Sequence, residues 1–309
     1  MIDVDYFKSI YNSDIIYHYT KASTAIDYIL HNNQLKFNQY KKSNDPIESS
    51  YVSRSTYFYG SEVGKPISGK TQKDITELKD HVRYLENNFY QICFCKNHMG
   101  DIFANKNCIC DFKGHEELFG FTKLRMWDQY ADNFLGVCIA FSKERVLSTN
   151  KSKLNLLDDD VNYCKFRELS EKKVNDISGN YLANVGKDIY KNELDEKVKQ
   201  SFFYKHQDYS GENEYRIGAF FDKNNCTLEH QKGELIFDKT MMLDISNCIE
   251  AIFMSSYANE KQKSELFEYA EMLNVPIIEM NWKHDSFEPR DYKRWKALLE
   301  SIYKSHQIS

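Results

Sequence analysis

Apolar and polar positions alternate along this chain with two periods, and the changeovers mark its elements. Ile15-Ile16-Tyr17-His18-Tyr19-Thr20 is an apolar, aromatic and β-branched run, which favours a buried strand. The spacing then turns helical, with Ala22, Ala25, Ile26, Ile29 and Leu30 on one face and Thr20 or Ser23 placed to cap the first turn. A strand thus delivers His18 to the mouth of a strand-to-helix turn. A histidine there either holds a ligand or bonds a backbone carbonyl in the core.

The same reading extends downstream. Residues 1–14 carry helical spacing (Val4, Phe7, Ile10, Tyr11), and Gln34–Tyr40 alternates as a strand. Asn44-Asp45-Pro46 is a turn, residues 60–75 a loop, and Ile75, Leu78, Val82 and Leu85 predict a helix over 72–88. Residues 89–95 read as a strand, 97–121 as a polar excursion, and 124–130 as a helix. Gly136–Phe141 is the near-continuous apolar run of a central strand. Further strands are predicted at 161–166, 214–221, 233–237, 249–254 and 275–280. Long helices are predicted over 169–203 (Leu182, Val185, Ile189, Leu194, Val198, Phe202), 261–273 and 290–304. Without a repeat or low-complexity tract, this is an α+β chain.

Composition narrows the class. A chain of 309 residues with 41% hydrophobic and 28% charged residues can bury a sizeable core, and its 22 Tyr and 20 Phe supply the bulk. A net charge of −5 argues against polyanion binding by the whole surface. No apolar run approaches the ~18 residues of a membrane helix. The acidic Met1–Tyr6 stretch lacks the features of a signal peptide, so the eight Cys predict free thiols in a reducing cytoplasm.

Four features bear on chemistry. Cys93 and Cys95 share a strand face and, with Cys108 and Cys110, have the ligand types of a zinc site. The C-x-C spacing is unusual for zinc, and small buried thiols satisfy the pattern equally. Glu212 and Glu214 alternate around Asn213, so on a strand both carboxylates face one side and need cations or a ligand. Trp127 and Tyr130 share a helix face as core or as a stacking platform. The terminal helix carries Arg290, Lys293, Arg294 and Lys296 beside Tyr292 and Trp295, either as a solvated face or as a phosphate contact. P-loop, G-x-G-x-x-G, H-E-x-x-H and G-x-S-x-G patterns are absent, so those enzyme classes gain no support.

Taken in order, Ile16-Tyr-His-Tyr-Thr20, Asn44-Asp-Pro-Ile-Glu48, Ile92-Cys-Phe94, Met126-Trp-Asp-Gln-Tyr-Ala131, Gly136–Phe141, Val161-Asn-Tyr163 and Glu212-Asn-Glu-Tyr-Arg216 resemble a bacterial domain-of-unknown-function family, number twenty-nine seventy-one. The resemblance spans about residues 15–282. That family in turn resembles the ADP-ribosyltransferases. The implied fold is a split, bent pair of antiparallel sheets with flanking helices around an NAD cleft. The implied layout is a lead-in helix over 1–14, a domain over 15–284 with an insertion at 97–121, and a basic C-terminal helix over 285–309.

By this resemblance His18, with Tyr19 and Thr20 beside it, holds the adenosine-side ribose. Tyr130 or Trp127 stacks on nicotinamide, and Glu212 or Glu214 is the catalytic carboxylate. Asn44 and Asp45 position the cleft loop or simply make a turn. Tyr209 stands where the late motif usually has Trp, and the 97–121 excursion is long for the family. The implied activity is transfer of ADP-ribose from NAD to a protein or nucleic acid, as a bacterial toxin or anti-phage effector restrained by an antitoxin or regulatory partner, or else NAD hydrolysis. The rival readings are a non-catalytic nucleotide or ADP-ribose sensor and a zinc-stabilised nucleic-acid-binding protein.

Overall fold

In the computed structural model, which describes residues 14–43, 57–59, 69–98, 118–172, 176–221, 240–283, 287–294 and 296–297, the first apolar run is strand β1 (Ile15–Thr20), buried except at a half-buried His18. Neither Thr20 nor Ser23 caps the next helix. Thr20 is held in the strand opposite Val137, Ser23 lies inside the first turn, and Lys21 stands at the cap with no side-chain bond. Helix α1 (Ala22–Thr24) widens into a π-helical stretch (Ala25–Leu30), and together they bury the five apolar positions that the spacing marks.

The expected strand over 34–40 divides into β2 (Gln34–Lys36) and β3 (Asn38–Gln39), because the chain changes sheets at the buried Phe37. After β4 (Tyr57–Tyr59), helix α2 (Gly69–Asn88) buries Ile75, Leu78, Val82 and Leu85 as predicted, and it leads into β5 (Phe89–Lys96). Next come α3 (Leu124–Gln129), the wholly buried β6 (Val137–Ser142) and α4 (Lys143–Asn150). Ser142 caps α4 by accepting from the Arg145 backbone N–H. Strand β7 (Leu156–Asp160) was hidden from the pattern by its three consecutive Asp residues, and it lies at a sheet edge where charge is tolerated. β8 (Asn162–Cys164) is shorter than expected.

The long helix over 169–203 is not continuous. It resolves into α5 (Phe166–Lys172), β9 (Asp176–Ser178), α6 (Gly179–Val185) and α7 (Lys187–Ser201). Gly186 breaks it at φ +85°, a conformation that favours glycine, and the break shifts the helical phase. Tyr190 is therefore buried where Ile189 was expected, and Ile189 faces solvent.

Then follow β10 (Tyr204–His206), a 3-10 turn (Gln207–Glu212), β11 (Glu214–Phe220), β12 (Met242–Asp244), β13 (Ile249–Ser255), α8 (Glu260–Leu273), β14 (Ile277–Trp282) and β15 (Phe287–Asp291). The predicted terminal helix is corrected at its start. Arg290 sits in edge strand β15 opposite Glu279, and Pro289 is acceptable at such an edge. Lys293 follows in a helical turn and pairs with Glu271. The lead-in helix, the 233–237 strand and most of the 97–121 excursion fall outside the described residues.

One nine-stranded sheet runs β15-β14-β13-β6-β1-β5-β11-β7, with β3 also paired to β5. Its pairs are antiparallel except β13–β14, which α8 links as a crossover. The expected pair of small sheets is thus a single sheet with an opening in it. β1 pairs with β6 along all six residues, and β11 follows β5 from Glu214↔Cys95 to Phe220↔Phe89. β1 meets β5 only at Ile16↔Lys96 and Tyr17↔Cys95. The two halves are joined at one end and unpaired at the other.

Apolar clusters secure both halves. Ile16, Phe94, Ile139, Phe141 and Ile252 belong to the largest cluster, and Tyr17, Tyr19, Phe121, Trp127 and Phe253 to a second. Helices α2 and α7 close a third, in which Phe89 stacks on Phe202 with ring centroids 3.9 Å apart. Gly218 makes room for that stack, since a Cβ there would lie 2.2 Å from Phe89 Cζ. Gly218→Ala is expected to lower the unfolding free energy by about 1–3 kcal/mol through overpacking. Gly69→Ala, with nothing within 4 Å of the added carbon, leaves the urea midpoint unchanged or slightly higher. Equal midpoints for the two variants would contradict the packing argument.

Candidate functional site

A cleft of about 610 Å³ opens where β1 and β5 part, and residues from both halves line it. His18 stands at the division. Its Nδ1 lies 3.0 Å from the carbonyl oxygen of Cys93, and its ring packs 5.7 Å from that of Phe94. Burial lowers its pKa against the opposing pull of that carbonyl, so the ring is neutral near pH 7. A neutral imidazole that donates from Nδ1 keeps its lone pair on Nε2. Cys93 also borders the cleft. Desolvation of the sulfur and then Glu214 push its thiol pKa well up, although the residue is exposed at the cleft.

The far wall is a buried charge cluster. Lys205 Nζ donates to Glu212 Oε2 at 2.8 Å and to Glu214 Oε2 at 3.0 Å. Arg216 Nε donates to Glu214 Oε1 at 2.5 Å, and its Nη1 donates to the Phe202 carbonyl at 2.6 Å. Relative exposure is 0% for Arg216, 2% for Glu212, 4% for Glu214 and 6% for Lys205, so each charge depends on its partners.

The two carboxylates do not converge by simple strand alternation. Glu212 ends the 3-10 turn, Asn213 takes a left-handed conformation at φ 45°, and Glu214 begins β11. Asparagine tolerates that conformation better than most residues. Here its Nδ2 donates to the carbonyls of Lys96 at 3.1 Å and Asn97 at 2.9 Å.

The two glutamates are electrostatically unlike. Burial works against ionisation of Glu214, but Arg216 and Lys205 overcome it and hold the carboxyl well below the usual range. Burial of Glu212 prevails over Lys205 and raises its pKa. Glu212 Oε1 has no hydrogen-bond partner among the described residues.

Tyr130 reaches the cleft from the end of α3. After it, Asp132, Asn133 and Phe134 all have positive φ (53°, 54° and 66°). Bonds from Asn133 N to Asp128 O (3.1 Å) and from Phe134 N to Trp127 O (3.0 Å) hold this costly left-handed run. Burial and the nearby Glu212 raise the Tyr130 pKa, so its phenol stays protonated.

Other candidates are distributed differently. Trp127 is a core residue, not a platform. It is fully buried, donates from Nε1 to the Phe121 carbonyl at 2.8 Å and meets Tyr19 edge-on. Tyr19 borders the cleft, but its hydroxyl donates to the Gly120 carbonyl at 2.6 Å. Thr20 is buried at the end of β1 and does not line the cleft. Asn44, Asp45, Cys108 and Cys110 lie outside the described residues. Cys95 is packed in the core, and no group of three or more His, Cys, Asp or Glu among the described residues is placed to hold a metal.

Sequence spacing does not point to Lys205 or Arg125 as site residues, while Arg216 and Tyr209 enter it only through the late motif. The Tyr209 ring has Lys205 Nζ at 4.5 Å and Arg125 Cζ at 4.9 Å from its centroid, and the Arg125 Nη1 donates to the Asp208 carbonyl. A signal existed for two of them. Lys205 follows Phe202-Phe-Tyr204, and Arg216 interrupts an apolar strand, so each is a charge written into a buried segment.

Residues 126–217 match the model of a family described as a protein of unknown function (DUF2971). The matched span holds Tyr130, Lys205, Glu212 and Glu214, while His18 lies outside it. No curated protein and no solved structure matches the chain.

The opposite shifts fix two pH dependences. The depressed carboxyl of Glu214 contributes stability that is present above its ordinary carboxylate value and lost as pH falls toward its folded value. The raised carboxyl of Glu212 contributes stability that is present below its ordinary value and lost as pH rises through its folded value. In urea unfolding followed across pH, Glu214→Gln is expected to remove part of the acid-side loss, and Glu212→Gln part of the decline toward neutrality. Lys205→Met strands the buried Glu212 carboxyl and leaves Glu214 with Arg216 alone, and is expected to cost about 3–5 kcal/mol at pH 7. Superimposable pH profiles for the two Gln variants would contradict the assignment.

Proposed function

We propose that the cleft binds NAD and that the chain transfers its ADP-ribose to a protein or nucleic acid acceptor. The observation that carries this reading is the meeting of His18, Tyr130 and the Glu212–Glu214 pair, drawn from three distant stretches, around one cleft. The opening between β1 and β5 supports it further, because an ADP-ribosyltransferase-like fold divides its sheet around the NAD site.

In this reading Glu212 is the reactive carboxylate and Glu214 a positioning residue. Glu214 is committed to Arg216 and Lys205, whereas Glu212 keeps one oxygen without a partner among the described residues. As the bond from ribose C1′ to the nicotinamide nitrogen breaks, the electron pair leaves with nicotinamide and positive charge develops on the ribose. A fixed carboxylate beside that ring stabilises this transition state more than the ground state. The acceptor then bonds to C1′ and loses its proton, which a carboxyl of raised pKa is suited to take. The unprotonated Nε2 of His18 accepts from a ribose hydroxyl, and the exposed ring of Tyr130 covers nicotinamide. The biological setting in this reading is a bacterial toxin or an anti-phage effector restrained by a partner.

Glu214's tight pairing also suits a protein that binds the nucleotide without turning it over. Labelled NAD incubated with the protein and a cell lysate separates the two. Transfer predicts label on a macromolecule, a loss of about 100-fold or more in Glu212→Gln, and a loss in His18→Ala, with both variants folded. Binding without release of nicotinamide would make the protein a sensor, and absence of NAD binding would overturn the nucleotide reading.

A further inference from the structure

At the end of the cleft away from Glu212, the lining includes the carboxamides of Asn38, Gln39 and Gln91 beside Lys42. Gln91 lies on β5 and is only 5% exposed, yet its Oε1 has no hydrogen-bond partner among the described residues. A buried amide oxygen left unpaired costs free energy, which rotation of the amide toward the cleft and a ligand donor there would recover. Asn38 on β3 is the register partner of Gln91, also lines the cleft and is exposed. Directly paired strand residues point to the same side, so two neutral carboxamides stand next to each other on this wall.

Their chemistry selects a ligand. Carboxamides offer a donor and an acceptor in one plane, which suits the amino and ring-nitrogen edge of an aminopurine. The spacing agrees with an extended nucleotide. Glu214 stands opposite Cys95, four strand residues from Gln91, or roughly 13 Å at the usual rise per residue. The carboxylates and Gln91 therefore engage opposite ends of whatever fills the cleft.

We propose that Gln91, with Asn38 beside it, forms a subsite for the 6-amino edge of adenine, Gln91 Oε1 accepting from the exocyclic amine. The inference rests on the reading of the cleft as a nucleotide site and assigns which end takes the purine.

Adenosine monophosphate and inosine monophosphate test it, because they differ in presenting an amine or a carbonyl at that position. Titration calorimetry on the whole chain is expected to show adenosine monophosphate binding about tenfold or more tightly than inosine monophosphate. Gln91→Met, which keeps the volume and removes the amide, abolishes that preference and leaves the unfolding midpoint unchanged or higher. Equal binding of the two nucleotides, a preference that survives in Gln91→Met, or binding of neither overturns the subsite. NAD binding without any adenine preference would overturn the subsite alone. Adenine preference lost in Gln91→Met but without NAD turnover would uphold the subsite and count against the transferase reading.

Discussion

The site depends on one buried ammonium. Lys205 Nζ lies between Glu212 and Glu214, and without it two carboxylates would face each other with Arg216 alone to neutralise them. Like charges at that separation cannot both stay ionised in a buried setting unless cations intervene. The surrounding backbone is arranged to hold this cluster. Asn213 turns left-handed so that both carboxylates reach the same ammonium, and Arg216 is anchored to the end of α7 through the Phe202 carbonyl. The consequence for chemistry is a division of labour between adjacent glutamates. One is neutralised and fixed, and the other retains an oxygen with no hydrogen-bond partner among the described residues.

The sheet supplies the second constraint. Because β1 pairs fully with β6 and β5 with β11, but β1 with β5 at only two positions, each half is rigid while the line between them is open. A cleft made this way exposes backbone and side chains from two strands that would otherwise be hydrogen-bonded together. His18 spans the opening by bonding the Cys93 carbonyl, which satisfies one backbone group left there without a strand partner.

Much of this was legible in the chain. The apolar run at Gly136–Phe141 announced a central strand, and β6 is buried at every residue. The stripe of Ile75, Leu78, Val82 and Leu85 gave helix α2. His18, Tyr130, Glu212 and Glu214 are candidates through the ordered motifs of the family resemblance, and all four line the cleft. The failures have physical causes. The predicted long helix is divided by strand β9 and by Gly186 at positive φ, whose break shifts the helical phase so that Tyr190 is buried in place of Ile189. Strand β7 disguised itself with three Asp residues at an edge. Trp127 and Tyr130, three apart, are equivalent by spacing, but the α3 helix ends between them and sends one ring inward and the other to the cleft. Lys205 was passed over because its meaning lies in contacts with two residues beyond a turn, which spacing does not encode.

Burial of Glu212 and the pairing of Glu214 with Arg216 and Lys205 leave the two glutamates in opposite electrostatic states, which can be measured directly. Carboxyl carbon titration by NMR, assigned with the Glu212→Gln and Glu214→Gln variants, reads each side chain separately. The account predicts that Glu212 titrates above the ordinary glutamate range and Glu214 below it. Titration of both in the ordinary range, or in the reverse order, would contradict it.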